Sequence, residues 1–461
     1  MSKYVDDFRG AAHRAVDWVA DYLNGIRQYD VLPHVKPGDL IDALPRSAPE
    51  TGEPFEAILK DFDEVIVPAV THWNHPGFMA YFPSTGSTPS VIAEMLTAAL
   101  NTNGIHWKTS PALAELERVT LDWMRQWLGL PEDFFGVIFD TASVSSLHGI
   151  AAAREMADPE AREQGARPNL VLYTSEQAHS SIEKGAMALG IGRRNVRKIP
   201  VDAEFRMRTD ALAEAISRDL ADGRKPFCVV ATVGTTSTTS IDPVPAIADL
   251  AEQHGLWLHV DAAYAGSAMV VPELQHIFAG VERAHSLVVN AHKWLFTAMD
   301  LSMFFTRRPD ILRRAFSLVP EYLRTVEDSR AINYMEYGIP LGRRFRALKL
   351  WFVMRYFGRQ GLSTLVRSHV AMAKKVAGWV DADPRFERLA PVPLSVVCFR
   401  YRGSDEQNQA ILDEVNASGR IFLSHTVLDG KLALRVAIGN LATERQDVEQ
   451  AWELIRNAVP R

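Results

Sequence analysis

The sequence predicts an α/β protein: a mainly parallel sheet with helices on both faces, a helical N-terminal segment and a small C-terminal α+β unit. Three observations predict it. Between about residues 88 and 340, short apolar runs alternate with amphipathic stretches, the pattern of strands buried on both faces. Residues 1–85 carry helical periodicity and no strand pattern. Beyond residue 360, two further apolar runs at 394–399 and 432–437 lie among helical stretches. A chain of 461 residues exceeds what one core supports, and the divisions 1–85, 86–360 and 361–461 follow.

Val5, Phe8, Ala12, Ala15, Val19, Tyr22 and Leu23 recur at three- and four-residue steps, which predicts a helix over roughly the first 27 residues. Prolines 33, 37, 45 and 49 follow, then a second helix over about 54–67. The apolar faces of these helices have no strands beside them, so a partner subunit is their expected cover. Residues 72–83 are rich in aromatics and turn formers, a composition suited either to lining a pocket for a flat ligand or to plugging a core. Helices are expected at 89–100, 111–128 and 144–156. Strands are expected at 137–139, 170–173, 228–232, 256–260, 287–289 and 302–305. A helix over 344–357 ends near Gly358 and Gly361, and another over 362–380 leads into the last unit. The final helix, about 443–459, has Thr443 as its expected N-cap.

Composition excludes several functions. A formal net charge of -6 with no run of Lys and Arg argues against nucleic-acid binding. Cys228 and Cys398 stand apart in apolar runs, without metal or disulfide spacing, and read as inert core thiols. His72 and His75 have no carboxylate or cysteine nearby to complete a metal site. No GxGxxG or Walker A sequence supports a dinucleotide or nucleotide site. Without a signal-peptide core or a membrane-length apolar stretch, a soluble cytoplasmic protein is expected.

The chemistry gathers at strand ends. Residues 287–289 deliver Asn290, His292 and Lys293, and a lysine desolvated there has an amine freed for imine chemistry. Asp261-Ala-Ala-Tyr-Ala-Gly266 ends another strand with a carboxylate, costly to bury unless a cation meets it. A protonated pyridine nitrogen is such a cation, and Ala263 leaves room for its ring. Phe139-Asp-Thr-Ala-Ser-Val-Ser-Ser146 runs from strand to helix, where Thr141, Ser143 and backbone amides suit a phosphate. Gln177-Ala-His-Ser-Ser181 brings His179 to the same edge. Ala231-Thr-Val-Gly-Thr-Thr236 brings hydroxyls there, Thr236 among them. Each stretch alone has a plain reading, such as a helix cap or a solvated lysine. Together they specify pyridoxal 5'-phosphate (PLP).

The chain also carries His72-Trp73, Ala80-Tyr-Phe-Pro83, Ser110-Pro-Ala112, Ala178-His-Ser-Ser181, His259-Val-Asp-Ala-Ala-Tyr-Ala-Gly-Ser267, His292-Lys-Trp294 and Ile339-Pro-Leu-Gly-Arg-Arg-Phe-Arg346. In these it resembles the group II PLP-dependent decarboxylases, and specifically the aromatic L-amino acid decarboxylases. The resemblance implies a fold-type I PLP enzyme and an interlocked homodimer with its active site near the subunit interface. It implies that Lys293 holds the cofactor covalently and that Asp261 pairs with the pyridine nitrogen. His179 would stack on one face of the ring with Ala263 on the other. Ala142, Ser143 and Asn290 would hold the phosphate, with His292 nearby. Tyr322 matches the loop tyrosine that returns a proton to the substrate Cα in that family.

Decarboxylation to an arylalkylamine is the activity expected. Relatives that make aldehydes tend to differ at the loop tyrosine or the stacking histidine, and this chain keeps both. A silent PLP-binding scaffold would have lost the lysine, the aspartate or the tyrosine, and an aminotransferase would usually need an arginine for the substrate carboxylate. Trp73, Tyr81, Phe82, Pro83 and Ile105, with Trp107, are the expected apolar slot for a planar side chain. Gly342 would leave space for an indole or catechol. The expected substrate is tryptophan, phenylalanine, tyrosine or dihydroxyphenylalanine.

Overall fold

A computed structural model describes residues 8–318 and 331–460. Helix α1 (Phe8–Asn24) has the expected apolar stripe, yet none of its residues is buried. After the helix Phe55–Asp61 the chain enters the 72–83 loop, then α2 (Thr88–Leu100) and α3 (Pro111–Leu128).

The large sheet has the order β1-β7-β6-β5-β4-β2-β3. Its strands are β1 (Phe135–Phe139), β2 (Leu170–Ser175), β3 (Val196–Ile199), β4 (Lys225–Thr232), β5 (Trp257–Asp261), β6 (Ser286–Asn290) and β7 (Ser302–Thr306). Only β7 runs against its neighbours, pairing antiparallel with both β1 and β6. The sheet is therefore mainly parallel, as its continuous apolar strands predicted, and β2, β5, β6 and β7 are buried along their whole length. The edge strand β3 had no sequence signal, because Arg197 and Lys198 interrupt its apolar residues. Helix α4 (Ala142–Ala157) packs on this sheet. The short helix α5 (Ala291–Trp294) continues directly from β6.

Helix α6 (Arg346–Ala382) is one rod in outline but breaks at Gly358, whose φ of 61° and ψ of 171° are not helical. That is the interruption the two glycines predicted. Its second half supports a four-stranded antiparallel sheet, β10-β11-β9-β8, from β8 (Phe386–Arg388), β9 (Val396–Tyr401), β10 (Ser424–Leu428) and β11 (Lys431–Ala437). The last helix, Arg445–Asn457, is capped by Glu444 in a reciprocal box with Asp447, not by Thr443. The Thr443 hydroxyl instead donates to the Pro76 carbonyl, because the 72–83 loop packs against this unit and offers it a buried acceptor.

That loop is woven into the small unit along its length. Met79 N–H donates to the Phe422 carbonyl, Phe422 N–H to the Gly77 carbonyl and Ala437 N–H to the Met79 carbonyl. Met79 lies in the same apolar core as Val397, Leu434 and Trp452. Among the described residues no helix is long and apolar enough to cross a membrane. Both cysteines are free and buried.

Candidate active site

The parallel strands bring their carboxyl ends to one edge of the sheet, where crevices open in α/β folds. A cavity of about 220 Å3 lies there, lined by residues from the ends of five strands and by the 72–83 loop. Lys293 is half-buried and faces this cavity from α5. Burial pushes its amine below the ordinary lysine range; Asp261 opposes the shift and Arg435 adds to it. A neutral amine is a nucleophile, and the environment favours that form.

Asp261, at the end of β5, is 5% exposed, and one of its oxygens accepts the Ala263 N–H at 3.0 Å. The Ala263 carbonyl in turn accepts the Asn290 N–H at 2.9 Å. The carboxylate's loop is thus bonded to the end of the strand that carries the lysine. His179 lines the cavity with its ring otherwise exposed. Its Nδ1 accepts the Ser181 N–H at 3.2 Å and lies 2.8 Å from the Ser181 hydroxyl, which fixes the ring's orientation. Partial desolvation against the cavity wall holds its pKa below the ordinary histidine value, with Asp261 opposing and Lys293 reinforcing. Burial likewise pushes His292 down to about 4.

Thr141, Ala142 and Ser143 line the cavity at the start of α4. Thr141 takes the N-cap position without its side chain capping the helix, so the first-turn amides are left for another acceptor. Thr232, Gly234 and Thr236 extend the wall from the end of β4. Gly234 has φ of +88°, and a Cβ there would stand 2.5 Å from the Ala265 side chain, so only glycine fits. Two buried atoms in this wall, Asn290 Oδ1 and Thr232 Oγ1, have no hydrogen-bond partner among the described residues. Unpaired buried oxygens beside free amides and hydroxyls make a wall built for a polar ligand. A phosphate fits the α4 end, a protonated ring nitrogen fits Asp261 and a carbonyl fits Lys293, which together are the groups of PLP.

The cavity therefore unites Lys293, Asp261, His179, Ala263, Thr141, Ala142, Ser143, Thr236, Asn290, His292 and Phe82, all expected from the sequence. Five expected substrate residues are not in its wall. Trp73 stacks on Phe78 at 4.3 Å, and Tyr81 is 53% exposed. Pro83 packs against Gly439. Ile105 and Gly342 belong to a separate patch, where Gly104 N–H donates to the Arg343 carbonyl and Arg343 N–H to Asn103 Oδ1. Tyr322 lies outside the described residues.

Two residues went unnoticed in the sequence. Tyr264 lines the cavity and stacks on Phe82 at 3.9 Å. Arg435, 3% exposed on β11, sets its guanidinium 4.8 Å from the centre of the Phe82 ring, while the Lys293 amine lies 5.2 Å from it. Tyr264 sits inside a motif already read, but nothing local marks Arg435, whose neighbours in sequence are ordinary strand residues.

A family model, the pyridoxal-dependent decarboxylase conserved domain, matches residues 37–402. The chain belongs to the pyridoxal-dependent decarboxylase family. It is 44% identical to the aromatic-L-amino-acid decarboxylase of Bos taurus, over 98% of this chain and 95% of that protein. It is 42% identical to the phenylacetaldehyde synthase of Arabidopsis thaliana, again over 98% of this chain and 95% of that one. Among solved structures, Oryza sativa TDC with PLP and tryptamine is similar at a TM-score of 0.95 and 38% identity, covering 98% of both chains. As a pyridoxal-dependent decarboxylase the chain is a lyase, its fold is that of its PLP-binding relatives, and PLP is its cofactor.

Proposed function

We propose that this chain removes the carboxylate of an aromatic L-amino acid, giving the arylalkylamine and carbon dioxide. The observation that carries the reading is the meeting of Lys293, Asp261 and His179 in one cavity walled by Phe82 and Tyr264. When bound, PLP supplies an electron sink for the pair left on Cα as the carboxylate departs. The chain's residues do the rest. Lys293 presents an amine held toward its neutral form. Asp261 would favour a proton on the ring nitrogen by charge, in a setting where that charge is poorly screened. His179 and Ala263 would hold a flat ring between them. The first turn of α4, with Ser143, Thr236 and Asn290, would hold the phosphate.

Aromatic side chains are favoured because, among the described residues, Lys293 is the only Lys or Arg in the cavity wall, and Arg435 is packed behind Phe82. Among the described residues the wall offers an acidic side chain no cation besides Lys293. The chain's similarity to both a decarboxylase and an aldehyde synthase makes the product the deciding quantity. We read it as amine, because His179 and Tyr322 both match the decarboxylating pattern.

A homodimer is part of the same proposal. Helix α1, the Phe55 helix and α2 frame an apolar groove of about 920 Å3 lined by Phe8, Val16, Val19, Phe55, Ile92 and Met95. Each such side chain gains about 1.5–3 kcal/mol on full burial, and a second copy offers the same surface in return.

The test is a product assay on PLP-loaded protein with each aromatic L-amino acid in turn, measuring amine, aldehyde and peroxide together. Amine without peroxide is the expected result. Aldehyde with stoichiometric peroxide would replace decarboxylation by aldehyde synthesis, and no product from any of the four would remove the aromatic reading.

A further inference from the structure

Four rings stand in a column beneath Lys293. Phe82 and Tyr264 stack at 3.9 Å with their planes 14° apart. Tyr264 and Trp294 stack at 4.6 Å and 7°. Trp294 and His369 are nearly coplanar in orientation, at 6.4 Å and 8°. Each ring comes from a different part of the fold: the 72–83 loop, the Asp261 loop, α5 and the second half of α6.

Stacking alone would be core packing. Polar bonds give the column a direction. The Trp294 indole N–H donates to His369 Nδ1 at 2.9 Å. The other side of the His369 ring bonds the Asn440 backbone carbonyl, so in the neutral ring the proton sits on Nε2 and Nδ1 is free to accept. His369 is 1% exposed, and burial pushes its pKa down to about 4, which keeps that acceptor available at working pH. The Asn440 side chain donates to the carbonyls of Trp73 at 3.0 Å and His75 at 2.8 Å, tying the same point to the 72–83 loop that ends in Phe82. The Tyr264 hydroxyl is fixed separately by Ser395.

Trp294 follows Lys293 directly, on a helix of only four residues. Such a helix has little stiffness of its own. Its orientation is set by what grips its side chains, and Trp294, fully buried, is the largest of them. We infer that His369 is a positioning residue for Lys293: by accepting the Trp294 indole N–H it fixes the short helix that carries the lysine, and so fixes where the amine meets the cofactor. The inference rests on the assignment of Lys293 as the residue that holds PLP.

The test uses the full-length protein and three substitutions. Trp294→Phe keeps a ring in the column and removes the donor. His369→Phe keeps a ring and removes the acceptor. His369→Asn is smaller, but its amide oxygen stands near the place of Nδ1 and can accept. Two readouts apply, neither of them turnover: the rate at which apo-protein captures PLP covalently, and the visible circular dichroism of the bound cofactor.

Misplacing a reacting group by about 1 Å can cost up to a hundredfold. Trp294→Phe and His369→Phe are expected to slow capture about tenfold and to weaken the dichroism. The double variant is expected to be no worse than either single, since both remove one bond. His369→Asn is expected to recover most of the rate despite its lost volume. Wild-type capture in His369→Phe with impairment in His369→Asn would mean that packing matters and the bond does not, and would overturn the inference. So would a lower melting temperature in both phenylalanine variants with capture and dichroism unchanged. Lys293→Ala, run alongside, separates the two levels: covalent PLP in that variant would overturn the lysine's assignment itself.

Discussion

Lys293 combines three conditions that a reactive lysine needs: burial, a carboxylate close enough to feel, and a small pocket in front of it. Substituting Lys293→Ala should abolish turnover and the absorbance of covalently held PLP, while the protein remains folded because the side chain faces a cavity. A visible band like that of the wild type in dialysed Lys293→Ala would reject the central assignment. Tyr322→Phe tests the step after carbon dioxide leaves. It should retain PLP and divert product from amine toward aldehyde and peroxide, measured by peroxide yield per amino acid consumed. Amine formation at an unchanged rate would remove Tyr322 from the mechanism. Lys293, Asp261 and His179 were legible because each stands in a short motif at a strand end, where the type of residue and its local setting suffice. Arg435 was not legible, because its position behind Phe82 comes from packing of the small unit on the large one.

Among the elements, the loop after β4 has its own fastening. Asp242 is 1% exposed and accepts the Thr232 N–H at 2.8 Å and the Met207 N–H at 2.7 Å. Burial raises its pKa to about 6, yet the two amides keep it in place. This loop carries Thr232, Gly234 and Thr236 into the cavity wall. Asp242→Ala leaves two buried amides unpaired and should cost about 2–4 kcal/mol, read from denaturant midpoints, with weakened PLP retention. A loss below roughly 0.5 kcal/mol would mean that the loop holds itself. The same reasoning explains the moved cap of the last helix. The sequence contains both Thr443 and Glu444, and local rules favour threonine. The Pro76 carbonyl, supplied by a distant loop, takes the Thr443 hydroxyl and leaves the capping to Glu444 and Asp447.

For the whole molecule, buried histidines set a limit on acid stability. Burial pushes His75, His148, His259, His292 and His369 each down to about 4. In the unfolded chain they titrate near 6.5, so as pH falls the unfolded state takes up protons first. Their contribution is complete above about 6.5 and is lost progressively toward 4. The melting temperature should therefore fall steadily between those values, and one that stays flat from pH 7 to 5 would contradict it. The apolar groove along α1 and α2 makes a second prediction at this scale. Met95, 51% exposed within the single chain, lies in that groove. Met95→Glu should shift the proposed dimer toward monomer in sedimentation, and an unaltered dimer would move the interface elsewhere.

By itself the sequence determined the alternation of buried strands and helices, the residues at the strand ends and the cofactor those residues fit. These follow from periodicity and from short motifs, which act over a few neighbours. Only the tertiary structure decided which aromatic residues face the cavity. Trp73, Tyr81 and Phe82 share one loop, yet of the three Phe82 alone enters the wall: Ser424 of β10 accepts the Tyr81 N–H, and Trp73 stacks on Phe78 with its carbonyl held by Asn440. It also decided that Arg435 stands behind Phe82 and that His369 grips Trp294, contacts between segments far apart in the chain. No local pattern encodes such meetings, since they depend on how segments far apart in the chain come to rest against each other.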